Sequence, residues 1–124
     1  MKSWRVAVAS TDGKVINEHF GKAKEFLIVD IKADGTYELV ERRTTPPACN
    51  GGEHSEHGME DSVRSLSDCA AVLVAKIGGG AERALAAQNI VAFEHPALID
   101  DALVKLSKYF VKTSYSKPIS TKEA

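Results

Sequence analysis

The sequence predicts an α/β layered domain built on a mixed five-stranded sheet in the order β-β-β-α-β-α-β-α. Three observations point to it. The N-terminal part of the chain consists of β-rich runs with alternating apolar residues, and near Met59 the apolar period changes to a helical one. A continuous apolar run, Ala70 to Ile77, then leads through Gly78-Gly79-Gly80 into an alanine-rich stretch, which reads as buried strand, glycine turn and helix. At 124 residues the chain is expected to form one domain with a single core.

In chain order, Trp4 to Ser10 (WRVAVAS) alternates Trp4, Val6 and Val8 against Arg5, Ala7 and Ala9, and runs into the turn signal Thr11-Asp12-Gly13. This is the first strand. Phe26 to Lys32 and Thr36 to Arg43 follow as an antiparallel pair, because Ala33-Asp34-Gly35 between two β-rich runs is a strong hairpin signal. Met59, Val63 and Leu66 fall at i, i+4 and i+7, one apolar stripe on a short helix that stops near Asp68. After the Ala70 to Ile77 strand and an Ala81 to Gln88 helix, Ile90 to Phe93 makes a short strand parallel to the previous one, reached by a right-handed crossover. Pro96 is expected to open the last helix, where its missing donor costs nothing, with Ile99, Ala102, Leu103, Leu106 and Phe110 on the buried face. Polar residues take over from Val111, which divides the chain into a domain at 1–110 and a flexible tail at 111–124.

Composition narrows the function classes. With 16 basic and 17 acidic side chains there is no cationic surplus to draw the chain to nucleic acid or an anionic membrane. The apolar run at the N-terminus is too short to span a bilayer and carries no signal-peptide pattern, so a cytoplasmic protein is expected. Cys49 and Cys69 are too few for a disulfide framework and read as thiols or ligands in a reducing compartment.

Three stretches can carry chemistry. In the connection Asp12 to Phe26, His19-Phe20-Gly21 sets a histidine between an aromatic ring that can anchor it and a glycine that lets a ligand approach the backbone; a plain turn with Phe20 in the core and His19 in water is the alternative. Lys76 to Gly80 (KIGGG) brings helix N-terminal donors beside Lys76 and Arg83, suited to an anion, or is simply a tight connection. The loop Pro46 to Asp61 (PPACNGGEHSEHGMED) spaces Cys49, His54 and His57 as C-x4-H-x2-H, which matches no standard zinc module. Its glycines make a permanent structural metal unfavourable, since ordering each residue costs about 1 to 2 kcal/mol; a mobile arm bearing Cys49, or a solvated loop, remains. Cys69, between a helix and a buried strand, reads as a small hydrophobe, and His95 before Pro96 as helix-start punctuation.

The pattern Val6 to Ser10, Asp12-Gly13, Ile16 to Gly21, Ala23 and Glu25-Phe26, followed by Leu66 to Gly78 (LSDCAAVLVAKIG), Ala81-Glu82-Arg83 and Ala87 to Ile90, resembles the dinitrogenase iron-molybdenum cofactor biosynthesis family, from Val6 to Phe110. Cys49-Asn50-Gly51-Gly52 resembles the C-x-G-G of some members. The resemblance implies an RNase H-like fold that binds preformed iron-sulfur or iron-molybdenum cofactors or their precursors without catalysis, taking them from donating and passing them to receiving assembly proteins. It makes His19 the leading ligand, Cys49 a second one, and Phe20, Gly21, Lys76, Gly79, Gly80 and Arg83 the surrounding site; His54 and His57 have no counterpart in the family pattern. Some members carry further cysteines where this chain has Val74 and Gly80, which leaves open a regulatory or partner-binding domain that has lost cluster binding. A metal-dependent nuclease, the remaining class suggested by the implied fold, needs carboxylates converging from the sheet, and WRVAVAS has none.

Overall fold

The structure, a computed structural model, describes residues 3–23, 25–44 and 62–113 together with the backbones of 49–50 and 53–54. Five strands form one mixed sheet: β1 (Ser3–Val8), β2 (Glu25–Lys32), β3 (Tyr37–Thr44), β6 (Ala71–Val74) and β7 (Val91–Glu94), in the spatial order β3-β2-β1-β6-β7. β1 pairs antiparallel with β2, and β2 with β3, whereas β1, β6 and β7 run parallel to one another. The expected parallel pair is therefore present.

The alternation in β1 assigns its two faces. Trp4, Val6 and Val8 join Leu27, Val29 and Ile31 of β2 under α3 (Ile99–Thr113), whose Leu103, Leu106 and Phe110 close that core; the Trp4 and Phe110 rings stack at 5.1 Å. Ala7 and Ala9 face the opposite core with Phe26 and Ile28, covered by Val63 and Leu66 of the α1 region (62–65 and the turn after it) and by Ala81 and Leu85 of α2 (Gly79–Ala87). Small residues on this face of β1 let the helices and Phe20 approach the sheet closely. The β6 residues Ala71 to Val74 are buried, as befits a strand covered on both sides.

The β2–β3 hairpin turns where the Asp34-Gly35 signal lies. Gly35 has φ 92°, a conformation that glycine adopts without a Cβ penalty, and its N–H donates to the Lys32 carbonyl at 2.9 Å. The Asp34 carboxylate accepts from the Thr36 N–H at 2.9 Å and from its hydroxyl at 2.6 Å. Further along, a bulge between Ile28 and Val29 leaves Val40 without a register partner and bends the edge strand.

Several bounds differ from the sequence expectation, two of them for a hydrogen-bonding reason. β6 stops at Val74 because Ala75 and Lys76 turn to pair with residues 18–20. Pro96 does not open the final helix: the Ala97 carbonyl accepts from the Ile16 N–H at 2.9 Å, the Ile99 N–H donates to the Lys14 carbonyl at 2.8 Å, and the helix starts at Ile99. That helix continues to Thr113, beyond the boundary expected at 110; residues 114–124 lie outside the described residues. Finally, β4 (Cys49–Asn50) and β5 (Glu53–His54) form a small antiparallel pair within the connection read as a loop. The rest of Pro46 to Asp61, with Met59 and His57, lies outside the described residues.

Candidate functional site

The site grows from the C-terminal ends of β1 and β6. Beyond β1, the Ala9 N–H donates to the Leu73 carbonyl at 2.9 Å, and the chain leaves the sheet at Ser10. A compact turn brings it back. The Asp12 carboxylate accepts the N–H groups of Lys14 at 2.9 Å and Val15 at 3.1 Å, which hold it below the ordinary carboxylate range, and the Ser10 hydroxyl accepts the Gly13 N–H at 3.0 Å. Asn17 ties the turn to its start by accepting the Thr11 N–H at 3.0 Å.

The returning segment then docks on both strands. The N–H groups of Asn17 and Glu18 donate to the Ala9 carbonyl at 3.2 and 3.3 Å, Ala75 donates to the Glu18 carbonyl at 2.9 Å, His19 bridges in parallel to Lys76, and Phe20 donates to the Lys76 carbonyl at 2.9 Å. A 3-10 turn, Phe20–Lys22, follows, closed by the Ala23 N–H donating to the His19 carbonyl at 3.0 Å. Phe20 is 1% exposed and packs against Phe26 with ring centroids 5.9 Å apart, while His19 stays exposed. The histidine is thus displayed from a backbone pinned on both sides.

The Lys76 to Gly80 turn faces this segment. Gly78 caps α2 at φ −80° and its carbonyl accepts the Glu82 N–H at 3.0 Å. None of the three glycines adopts a positive φ, and a Cβ at Gly78 or Gly80 would meet nothing within 4 Å. The tight-connection explanation therefore fails at those two positions; what the glycines leave is uncovered backbone at a helix N-terminus. A Cβ on Gly79 would lie 3.3 Å from a guanidinium nitrogen of Arg83, so the arginine folds over this end of the helix. Lys76 and Arg83 are exposed. Glu94, at the end of β7, anchors the turn by accepting the Ile77 N–H at 2.9 Å; an acid closing a parallel strand beside the glycine turn was the available signal, and sequence reasoning passed over it.

Among the other predicted residues, Cys49 reaches the neighbourhood through β4, which packs against the Phe20–Lys22 turn, and the strand register sets Cys49 directly opposite His54. Among the described residues no group of three or more His, Cys, Asp or Glu could hold a metal ion. Cys69 is fully buried in the α2-side core, and desolvation, reinforced by the charge of Asp68, pushes its thiol up to about 12. A second polar feature escaped the sequence reading. Arg5 holds Asp30 in a two-bond contact, 2.8 and 3.1 Å, and reaches Asp68 at 3.2 Å; Arg43 holds the other oxygen of Asp68 at 2.7 Å. This network ties β1, β2 and β3 to the end of the α1 region, a structural role away from the His19 surface. An arginine at an inward-alternating position of β1 was its trace in the sequence.

Residues 2–109 match the family model described as dinitrogenase iron-molybdenum cofactor. The chain is 38% identical over 109 residues to the FeMo cofactor biosynthesis protein NifB of Frankia alni, covering 86% of this chain and 21% of that protein. It is 43% identical over 74 residues to the NifB protein of Herbaspirillum seropedicae, covering 60% of this chain and 14% of that one. Protein NifX of Sinorhizobium fredii is 32% identical over 110 residues, with 84% of this chain and 68% of NifX covered. The chain therefore spans about a fifth or less of these NifB relatives and about two thirds of NifX. Among solved structures, PH0822 is similar with a TM-score of 0.64 at 23% identity, covering 85% of this chain and 91% of that one, a likeness of fold.

Proposed function

This chain belongs to the dinitrogenase iron-molybdenum cofactor family, and from that premise we propose that it binds an iron-sulfur or iron-molybdenum type cofactor, or a precursor of one, as cargo and stores or hands it on without catalytic turnover. The observation that supports the reading is the backbone docking of His19 beside Lys76, which brings an exposed histidine to the start of the glycine turn that opens α2, where Lys76 and Arg83 are exposed as well. A cluster of this kind is a polarizable anion; imidazole and thiolate suit its metal ions, and helix N-terminal donors with Lys76 and Arg83 suit its charge or an attached acid. Few ligands make release possible. His19 is the principal ligand in this proposal, held by Phe20 with Gly21 leaving room beside it, and Cys49 is the second, brought in on β4 with His54 opposite in register; His57, three residues further in the sequence, is the remaining candidate. Gly80 supplies open backbone, and Gly79 lies beside the Arg83 guanidinium that would share the cofactor's charge. Proteins that donate and receive the cofactor are the corresponding partners.

We also read the sheet order, with β2 reversed against β1, as an RNase H-like layout. The nuclease reading finds no support in it, because Ser3–Val8 carries no carboxylate. The regulatory alternative drew on the cysteines replaced by Val74 and Gly80. Val74 is fully buried in β6, so a cysteine in its place would sit in the core and not on the His19 surface, which removes half of that argument.

The test is anaerobic loading: the metal-free protein is mixed with extracted cofactor or its iron-sulfur precursor, and iron is measured in the protein peak after gel filtration. Near-stoichiometric iron is expected. Folded protein that elutes without iron from both mixtures rules the reading out.

A further inference from the structure

Large hydrophobic side chains left exposed gather at one edge of the sheet: Tyr37, Leu39 and Val40 on β3, with Val104 and Val111 on α3. Helical spacing puts the two valines on one flank of α3 with Asp100 and Ser107. That flank is the one beside β3, because the Tyr37 hydroxyl donates to Asp100, and a Cβ on the hairpin glycine Gly35 would lie 3.8 Å from the Ser107 hydroxyl. β3 is the outer strand of the sheet, and its free edge has no strand partner among the described residues. An open edge is a template for another strand, and exposed apolar side chains clustered on it mark an interaction surface.

The bulge in β3 selects the partner. Residues opposite each other in β2 and β3 share a face, so Tyr37, Leu39 and Arg42 lie on the α3 side with Ile31, Val29 and Leu27, whereas Glu38, Glu41 and Arg43 lie on the α2 side. The alternation is therefore shifted by one residue across Val40. A regular strand laid residue for residue along β3 would match faces on one side of Val40 and mismatch them on the other. A second β3, antiparallel to the first about a two-fold axis between Val40 and Glu41, carries the same shift at the same place, and the faces match on both sides of it. In that register Glu38 stands opposite Arg43 and Leu39 opposite Arg42, each pair formed twice. Arg43 is held in place by Asp68 at 2.7 Å, and Glu38 has no ion pair with another described residue. Slipping the strands by two residues would instead set Glu38 against Glu41, two like charges.

We propose that β3 and the adjoining flank of α3 form a homodimer interface, in which two copies pair their β3 strands antiparallel and join their sheets into one. Leu39 of each copy packs on the aliphatic stem of Arg42 of the other, and Glu38 of each reaches the fixed guanidinium of Arg43 on the opposite face. Val104 and Val111 continue the apolar surface onto α3. The partner is a second copy because the strand and its bulge are complementary to themselves in both face and charge. The proposal rests on the sheet edge alone and stands or falls independently of cofactor binding.

Sedimentation equilibrium of the full chain over a range of concentrations tests it, together with amide hydrogen exchange at the two ends of that range. The parent should pass from monomer to dimer and go no further, and the amides of β3 should exchange more slowly at high concentration while those of the other outer strand, β7, do not change. Leu39→Lys sets a lysine opposite Arg42 of the second copy, and Glu38→Arg sets an arginine opposite Arg43. Both positions are exposed, so each variant should keep the parent's circular dichroism and urea midpoint, and each should raise the concentration needed for dimerisation at least about tenfold. The proposal is overturned if the parent stays monomeric up to about 1 mM, which would leave the edge to a different protein. It is also overturned if species larger than a dimer accumulate, if the concentration-dependent protection falls outside β3, or if either variant dimerises as readily as the parent.

Discussion

Phe20 donates its backbone N–H to the Lys76 carbonyl at 2.9 Å, and this bond joins the segment that returns from β1 to the turn that opens α2. The exposed imidazole of His19 is one residue before that bond, and the buried ring of Phe20 anchors the same peptide from below. Position and ligand chemistry are therefore carried by different side chains.

That division predicts opposite behaviour for two adjacent substitutions. His19→Ala removes an exposed side chain and should change unfolding free energy by no more than about 0.5 kcal/mol while lowering cofactor loading. Phe20→Ala empties a buried ring site and should cost about 3 to 5 kcal/mol in denaturant unfolding. Loading of the His19 variant at the parental level would remove the imidazole from the ligand set.

Gly80 is the informative glycine. It lies in the first turn of α2 with open space at its Cβ position, so Gly80→Ala should stabilise the fold by up to about 1 kcal/mol. If the bare backbone receives the cofactor, the same substitution should weaken loading. A more stable variant that loads normally places the cargo away from this turn.

Cys69 should behave as a core residue. With its thiol pushed up to about 12 by burial and by Asp68, the thiolate is scarce at neutral pH. Iodoacetamide labelling, mapped to Cys69 by mass spectrometry, should be slow in the native protein and fast in denaturant. Rapid native labelling would show that the strand end opens far more readily than its packing implies.

Asp68 gives the fold an acid-sensitive joint. Burial raises its carboxyl, but the hydrogen bonds and charge of Arg43, with Arg5 adding to them, outweigh burial and leave it below the ordinary range. A carboxyl depressed on folding contributes stability above its unfolded value of about 3.9 and loses that contribution as pH falls through the lower folded value. Asp68→Asn should therefore be less stable than the parent at pH 7, by about 1 to 3 kcal/mol, and the difference should shrink below about pH 4. Urea unfolding across that range measures it; a constant gap down to strong acid would assign the loss to packing instead.

The alternation in Trp4–Val8, read without any structure, divides the two cores, because side chains along a strand point to opposite faces in turn. Local chemistry likewise determined the Asp34-Gly35 hairpin and the parallel pairing after the glycine turn, since turn residues and apolar runs act within a few positions of themselves. The residue types of the candidate site were legible too: His19, Lys76, the glycines and Arg83 all stand out by composition and motif. Tertiary structure alone decided which of them meet. The parallel register of β1 and β6 carries residues 17–20 onto Ala75 and Lys76, a contact between distant segments that no local period encodes. It also decided that Pro96 would not start a helix, because residues 14–16 compete for the backbone groups of 97–99. His95 shows the same limit: in the sequence it is a histidine before a proline, and only the folded chain buries its Nε2 and leaves it without a hydrogen-bond partner among the described residues.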